Sequence, residues 1–271
     1  MDQRKDAEAL AWQVGVWDRM APVYIHEIDI RFRQVVDRVV AHAELKPGHH
    51  VLDLGTGTGS VALRVALAIA PNGRVTAVDI SPEMLTMARR RATASGRSNI
   101  NFVEGRAEGL PAEAKSVDVI LACLSLMYVI DRAAAAREIA RVLRPGGQLV
   151  GAVWAGPQRA DIVLLQQTAG SFAPEPPVPG VGPGALADPG PFLAQLAKAG
   201  VEARVETEIT EFDFDSFASA WDVLAAVTVS RLEPEQVEKA KVAVRAAMWP
   251  DGDGPRHFRN VTQFIVGRRT R

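Results

Sequence analysis

The stretch Val51-Leu-Asp-Leu-Gly-Thr-Gly-Thr-Gly-Ser60 decides the fold. Residues 51–54 are a short apolar run with one acid inside it, the pattern of a strand buried in a parallel sheet. The run breaks into alternate glycines (Gly55, Gly57 and Gly59) and then into Val-Ala-Leu-Arg-Val-Ala-Leu, an apolar helix. Strand, glycine turn and helix together let backbone N–H groups approach a ligand closely at a helix N-terminus.

The spacing narrows the ligand. A dinucleotide turn reads G-x-G-x-x-G and seats a pyrophosphate on the helix dipole. Here the third glycine comes one residue early, and Asp53 stands just before the turn. A carboxylate there repels a pyrophosphate but suits a ligand with a cationic end. A nucleoside bearing an amino acid and a sulfonium, S-adenosylmethionine, meets that description. With these residues the sequence resembles the class I, Rossmann-like S-adenosylmethionine-dependent methyltransferases, which implies cofactor contacts from Asp53, Gly55, Thr56, Gly57, Thr58 and Gly59.

The motifs downstream extend the resemblance. Residues 74–79 read as a second strand ending on Asp79, ~20 residues past the glycines, where an acid accepts from both ribose hydroxyls. NAD sites share that acid, so Asp79 alone does not discriminate. Ser81 is a good N-cap and Pro82 fits the first helical position. Asp-Ile-Ser-Pro-Glu-Met-Leu85 resembles the family's second motif, in which Ile80 and Met84 cover the adenine; Met84 also reads as plain core. After a third strand at 99–104, Gly105-Arg-Ala-Glu-Gly-Leu-Pro111 is similar to the family's Gly-Asp-Ala-x-x-Leu-Pro. Arg106 replaces the Asp that accepts from the adenine amino group, and arginine only donates. The segment therefore offers the Ala107 N–H, Glu108 and a stacking Arg106.

A fourth strand at 116–122 leads into Cys123-Leu-Ser-Leu-Met-Tyr-Val-Ile-Asp131. This resembles the segment that small-molecule methyltransferases lay along the methyl group, with Cys123 toward the cofactor and Met127 and Tyr128 toward the acceptor. The Pro-Pro-Tyr/Phe cluster of adenine and glutamine-amide methylating enzymes is absent. A helix at 133–143 capped by Asp131, the Leu-x-Pro-Gly-Gly turn and a fifth strand at 148–154 follow; Trp154 suits a pocket wall or the core. The resemblance is to the ubiquinone/menaquinone-biosynthesis-like group. It implies an α/β fold, a doubly wound, mostly parallel seven-stranded sheet with an antiparallel last strand, helical lid insertions and an N-terminal helical flap.

Residues 1–45 read as that flap: a mobile amphipathic lead-in anchored by Trp12 and Trp17, then a helix carrying Ile28, Phe32, Val35, Val36, Val39 and Val40. Tyr24, in Ala-Pro-Val-Tyr, stands where related enzymes fold an aromatic over cofactor and substrate; ordinary packing is the alternative. Residues 46–155 form the cofactor-binding core. Residues 156–271 complete the sheet, all within one catalytic domain. There a helix at 161–168 precedes a proline-rich lid or flap at 174–191 and a helix at 191–199. An alternating strand at 201–214, helices at 217–232 and 234–249 and a last strand at 261–266 finish the chain.

Composition excludes several classes. The 271 residues are 48% hydrophobic and 23% charged with net charge −1, which offers no basic face for nucleic acid or anionic lipid. One cysteine and no signal-like or membrane-spanning run fit a cytoplasmic protein acting on small molecules as a monomer or homodimer. No metal-ligand spacing occurs. Methyl transfer needs alignment and, where the acceptor holds a proton, a base; His26, Tyr128 and His257 are the candidates, each with a plain packing alternative. A cofactor-binding protein without methyl transfer and an NAD(P)-dependent oxidoreductase are the alternatives to a methyltransferase acting on O, N or C of a largely apolar metabolite.

Overall fold

Each apolar run followed by a helix becomes one strand of a single sheet. The structure, a computed structural model, describes residues 3–174, 179–229 and 232–270. Parts of the sequence-based lead-in (residues 1–2), the proline-rich segment (175–178) and the 217–232 helix (230–231) lie outside the described residues.

In chain order the elements are α1 (Gln3–Val23), a π-turn (Tyr24–Ile28), α2 (Asp29–Arg31), α3 (Arg33–His42), β1 (His50–Leu54), α4 (Ser60–Ala68), β2 (Arg74–Asp79), α5 (Pro82–Ala94) and β3 (Ile100–Glu104). Then come β4 (Val117–Cys123), a 3-10 turn (Leu126–Tyr128), α6 (Arg132–Val142), β5 (Leu143–Trp154), α7 (Asp161–Gly170), α8 (Gly190–Lys198) and β6 (Val201–Phe214). Helices α9 (Phe217–Leu224), α10 (Ala226–Val229) and α11 (Pro234–Met248) precede β7 (Arg256–Arg269).

The seven strands lie in the order β3-β2-β1-β4-β5-β7-β6. Strands β1 to β5 pair parallel, and β7 runs antiparallel to both its neighbours. The chain winds outward in one direction through β2 and β3 and in the other through β4 and β5. Between β1 and β4 the direction reverses, so a crevice opens at their carboxyl ends, where open α/β sheets bind ligands. Leu52, Ile120, Leu121 and Leu149 are fully buried, as strands covered on both faces require.

Four expectations change. The lead-in is a 21-residue helix, with Ala9, Val16, Met20 and Ala21 buried, and it packs against α5 over the crevice. The helix through residues 28–40 is interrupted at Phe32, whose φ of −89° and ψ of 4° leave the helical region. The described part of the 217–232 helix breaks at Ala225. The last strand runs well beyond 261–266 because β6 pairs with it along its whole length, from Val201↔Arg269 to Phe214↔Arg256. Among the described residues no helix is long and apolar enough to cross a membrane.

Candidate functional site

The glycine loop after β1 is fixed by β2. Gly55 N and Thr56 N both donate to Val78 O, at 2.8 and 2.9 Å. Gly55, Gly57 and Gly59 all take the left-handed conformation, with φ of 70°, 53° and 85°, which an L side chain adopts only with strain. The turn delivers the Gly57 N–H to Asp79 Oδ2 at 2.8 Å, while Ser81 N donates to Asp79 Oδ1 at 3.0 Å. Asp79 is buried on the crevice wall, and burial holds its pKa above the usual carboxylate range. Across the crevice Ser125 Oγ donates to Leu54 O at 2.6 Å and locks the β4 loop against the glycine turn.

Asp79, Ile80, Met84, Ala107, Glu108 and Cys123 line the crevice with Gly55 and Gly57, and they enclose about 770 Å³ including the open mouth. Helix α1 contributes the roof through Leu10, Gln13 and Trp17, joined by Tyr24. Gln13 Nε2 donates to Tyr128 O at 2.8 Å, and Asp18 accepts from Ser81 Oγ at 2.6 Å. Sequence reasoning named Trp17 only as an anchor and missed Leu10 and Gln13, although the three recur at helical spacing and so share one face.

Several expected cofactor residues lie behind the wall. Asp53 is buried beneath the glycine turn, where Thr56 Oγ1 donates to its Oδ2 at 2.7 Å and Oδ1 has no hydrogen-bond partner. Burial pushes its pKa up to about 7, with the Thr56 bond opposing. Thr58 faces away: its hydroxyl donates to Asp29 at 2.6 Å, and Arg91 ties Asp29 to the Thr58 carbonyl. Gly59 gives α5 room, since a Cβ there would stand 3.1 Å from that of Ala88. Arg106 does line the crevice, but its guanidinium is already engaged. Asp6 of α1 grips it at 2.9 and 3.2 Å, and Glu108 lies 3.4 Å from its Nε.

Beyond Tyr24 and Tyr128 the crevice continues into an inner cavity. Its walls include Met20, Phe32, Met127, Trp154, Ile162 and Val223, with Trp17 shared by both spaces. Trp17 meets Tyr128 edge-on at 4.8 Å, and Phe32 meets Trp154 at 5.4 Å. Burial pushes both phenols, Tyr24 and Tyr128, well above their usual pKa, so each is a neutral hydrogen-bonding group at neutral pH and not a base. His26 is exposed on the π-turn and lines neither space. His257 is exposed on the outer hairpin, 2.8 Å from Asp213 and 3.5 Å from Glu211, which raise its pKa. Neither histidine therefore reaches the crevice.

Comparison with known proteins agrees with this geometry: residues 51–147 match the family model described as "Methyltransferase domain". Residues 51–147 therefore carry a methyltransferase domain. Methyltransferases of this Rossmann-like fold take their methyl group from S-adenosylmethionine. The chain is 35% identical over 160 residues to the ubiquinone/menaquinone biosynthesis C-methyltransferase of Shewanella woodyi, covering 55% of this chain and 59% of that protein. It is 32% identical over 133 residues to the demethylmenaquinone methyltransferase of Listeria monocytogenes, covering 49% and 55%. The matches thus span about half the length of these curated relatives. A putative methyltransferase from Bacillus halodurans has the same fold, with a TM-score of 0.64 at 22% identity over 87% of this chain and 99% of that one.

The residues of the methyltransferase domain fit the cofactor. A carboxylate stands at the end of β2, a Cβ on Gly57 would meet nothing within 4 Å, and an unpaired carboxylate oxygen of Asp53 lies under the turn. Among the described residues no cluster of metal-ligating side chains occurs.

Proposed function

We propose that the chain transfers a methyl group to a carbon or other soft, uncharged nucleophile of a neutral, largely apolar small molecule. The observation that carries this reading is the inner cavity, whose lining among the described residues includes no His, Asp, Glu, Lys or Arg. An acceptor that needed a protein base would find none there. Similarity to C-methyltransferases over half their length supports the same choice.

Bound S-adenosylmethionine supplies an electrophilic methyl carbon. The chain's own task is alignment, which can contribute ~7–11 kcal/mol. In this reading Asp79 accepts from the ribose hydroxyls, and Glu108, on the crevice wall, takes the acceptor role that Arg106 cannot fill. Asp53 holds the amino-acid end through its field from beneath the loop. Tyr24 and Tyr128 form the gate between the two spaces and orient the acceptor without taking its proton.

Incubation with methyl-tritiated S-adenosylmethionine and a lipophilic metabolite extract tests the reading. Label is expected in a neutral, apolar product and to survive mild acid and base, as a C–CH₃ bond does. Cofactor binding without labelled product would mark a binding protein of this fold; label in charged, water-soluble products would refute the substrate class.

Asp53 gives this reading a pH signature. Its folded pKa of about 7 lies above the ordinary aspartate value of 3.8, so its contribution to stability is fully present below about 3.8 and is lost as pH rises through 7. A cationic ligand end favours the ionised form, so cofactor affinity has the opposite slope and weakens as pH falls below 7. Calorimetric titration with S-adenosylhomocysteine between pH 6 and 7.5 is expected to show tightening that Asp53→Asn flattens. A wild-type profile identical to that of Asp53→Asn would remove Asp53 from cofactor binding.

A further inference from the structure

Gln166, on α7, is a polar side chain on the wall of the inner cavity with one buried atom left unpaired. Its Nε2 donates to Leu224 O at 3.0 Å, which fixes the rotation of the amide. Its Oε1 is buried without a hydrogen-bond partner. A buried acceptor left unpaired costs about 1–3 kcal/mol, so a retained one calls for an explanation. The same residue also lines a second, outer space between α7 and the loop at 180–185, bordered by Trp12, Gly182 and Thr228. Tyr128 and Gln166 belong to both spaces. Among the described residues, the lining of the outer space, like that of the inner one, carries no charged side chain.

Resting on the functional reading above, we propose that Gln166 is a specificity-determining residue whose Oε1 accepts a hydrogen bond from a hydroxyl or N–H group of the methyl acceptor. The acceptor enters from the outer space under the 180–185 loop, on the side of Tyr128 away from the cofactor crevice. A carboxylate or phosphate on the entering part would be desolvated without a counter-charge, so the molecule is neutral there. A donor on its ring satisfies the orphan oxygen, whereas the same ring without a donor leaves it unpaired. Discrimination by a polar group built to be paired is sharper than discrimination by an apolar pocket.

The matched probes are 2-naphthol and 2-methoxynaphthalene, which share a neutral aromatic body and differ in the donor. Binding is measured by equilibrium dialysis to the full chain saturated with S-adenosylhomocysteine, so that no turnover occurs. The wild-type chain is expected to prefer 2-naphthol about tenfold, the equivalent of ~1.4 kcal/mol. In Gln166→Met, of similar length but without the acceptor, the two probes should bind within about twofold of each other. Unchanged S-adenosylhomocysteine affinity and melting temperature in Gln166→Met establish that the fold survives. Equal binding of the two probes by wild type, a preference retained in Gln166→Met, or no binding of either probe would each overturn the assignment. Failure to bind S-adenosylhomocysteine at all would sink the functional reading instead, and so the two failures are distinguishable.

Discussion

Asp79→Asn is expected to weaken S-adenosylhomocysteine binding by about 100-fold or more, with a much smaller loss of stability. The substitution is nearly isosteric, so its effect isolates the acceptor chemistry. Both Asp79 oxygens are occupied by backbone donors, Gly57 N at 2.8 Å and Ser81 N at 3.0 Å. An asparagine offers one oxygen, and its NH₂ must then face an N–H group. Either the Gly57 amide swings out of the crevice or the side chain rotates and withdraws from the ligand. Hydrogen bonds to a charged acceptor contribute about 1.5–3 kcal/mol each, so losing two at the ribose gives roughly 3–6 kcal/mol. The free protein loses less, because burial already makes the charged form of Asp79 costly, as its raised pKa records. Calorimetric titration and a thermal melt on the same sample separate the two effects. Affinity within threefold of wild type would show that the carboxylate serves only the loop.

The same carboxylate marks the boundary of what the sequence discloses. Strand β2 was legible to the residue because an apolar run ends on an acid, and α5 because Ser81 and Pro82 are a cap and a first-turn residue; Ser81 Oγ does accept from Met84 N. The sheet order follows from the same alternation of runs and helices. Orientation within the glycine turn was not legible. Asp53 and Thr58 belong to the motif, yet both side chains lie behind the wall, where they bond to Thr56 and Asp29. Arg106 looked like a lost acceptor; its partner, Asp6, lies 100 residues away on a helix whose period had no such contact to reveal it. The histidines misled for a related reason. Residue type suggests a base, but His257 falls on the part of β7 that projects as an exposed hairpin with β6, a length set by pairing and not by pattern. The roof of the crevice depends on how α1 docks, which is tertiary packing overriding a weak amphipathic signal.

Alanine at two glycines of the turn is expected to fail in two different ways, and the contrast tests the geometry of the whole site. A Cβ on Gly55 would stand 2.4 Å from Ser125 Cβ and 3.0 Å from its Oγ, with φ at 70°. Neither side can yield easily. Ser125 is bonded to Leu54 O, and the Gly55 and Thr56 amides are both held by Val78 O. Left-handed strain of about 1–2 kcal/mol adds to overpacking of about 1–3, so Gly55→Ala should lose roughly 2–5 kcal/mol. Against a typical total of ~5–15 kcal/mol, that variant should melt far below wild type. Gly57 has φ of 53°, but its Cβ would meet nothing within 4 Å, and the residue lines the crevice. Gly57→Ala therefore keeps only the strain, about 1–2 kcal/mol, while its methyl occupies space the ligand needs. It should fold and yet bind S-adenosylhomocysteine weakly, by about 30-fold or more for ~2 kcal/mol of lost contact. Ser125→Gly removes the atom that Gly55→Ala strikes, so the double variant should regain stability beyond additivity, as coupled neighbours do. It should leave Gly57→Ala unimproved. Equal melting losses for the two alanines, or a rescue of both by Ser125→Gly, would mean that the turn is not packed against β4 as described, and the ligand crevice between them would lose its physical basis.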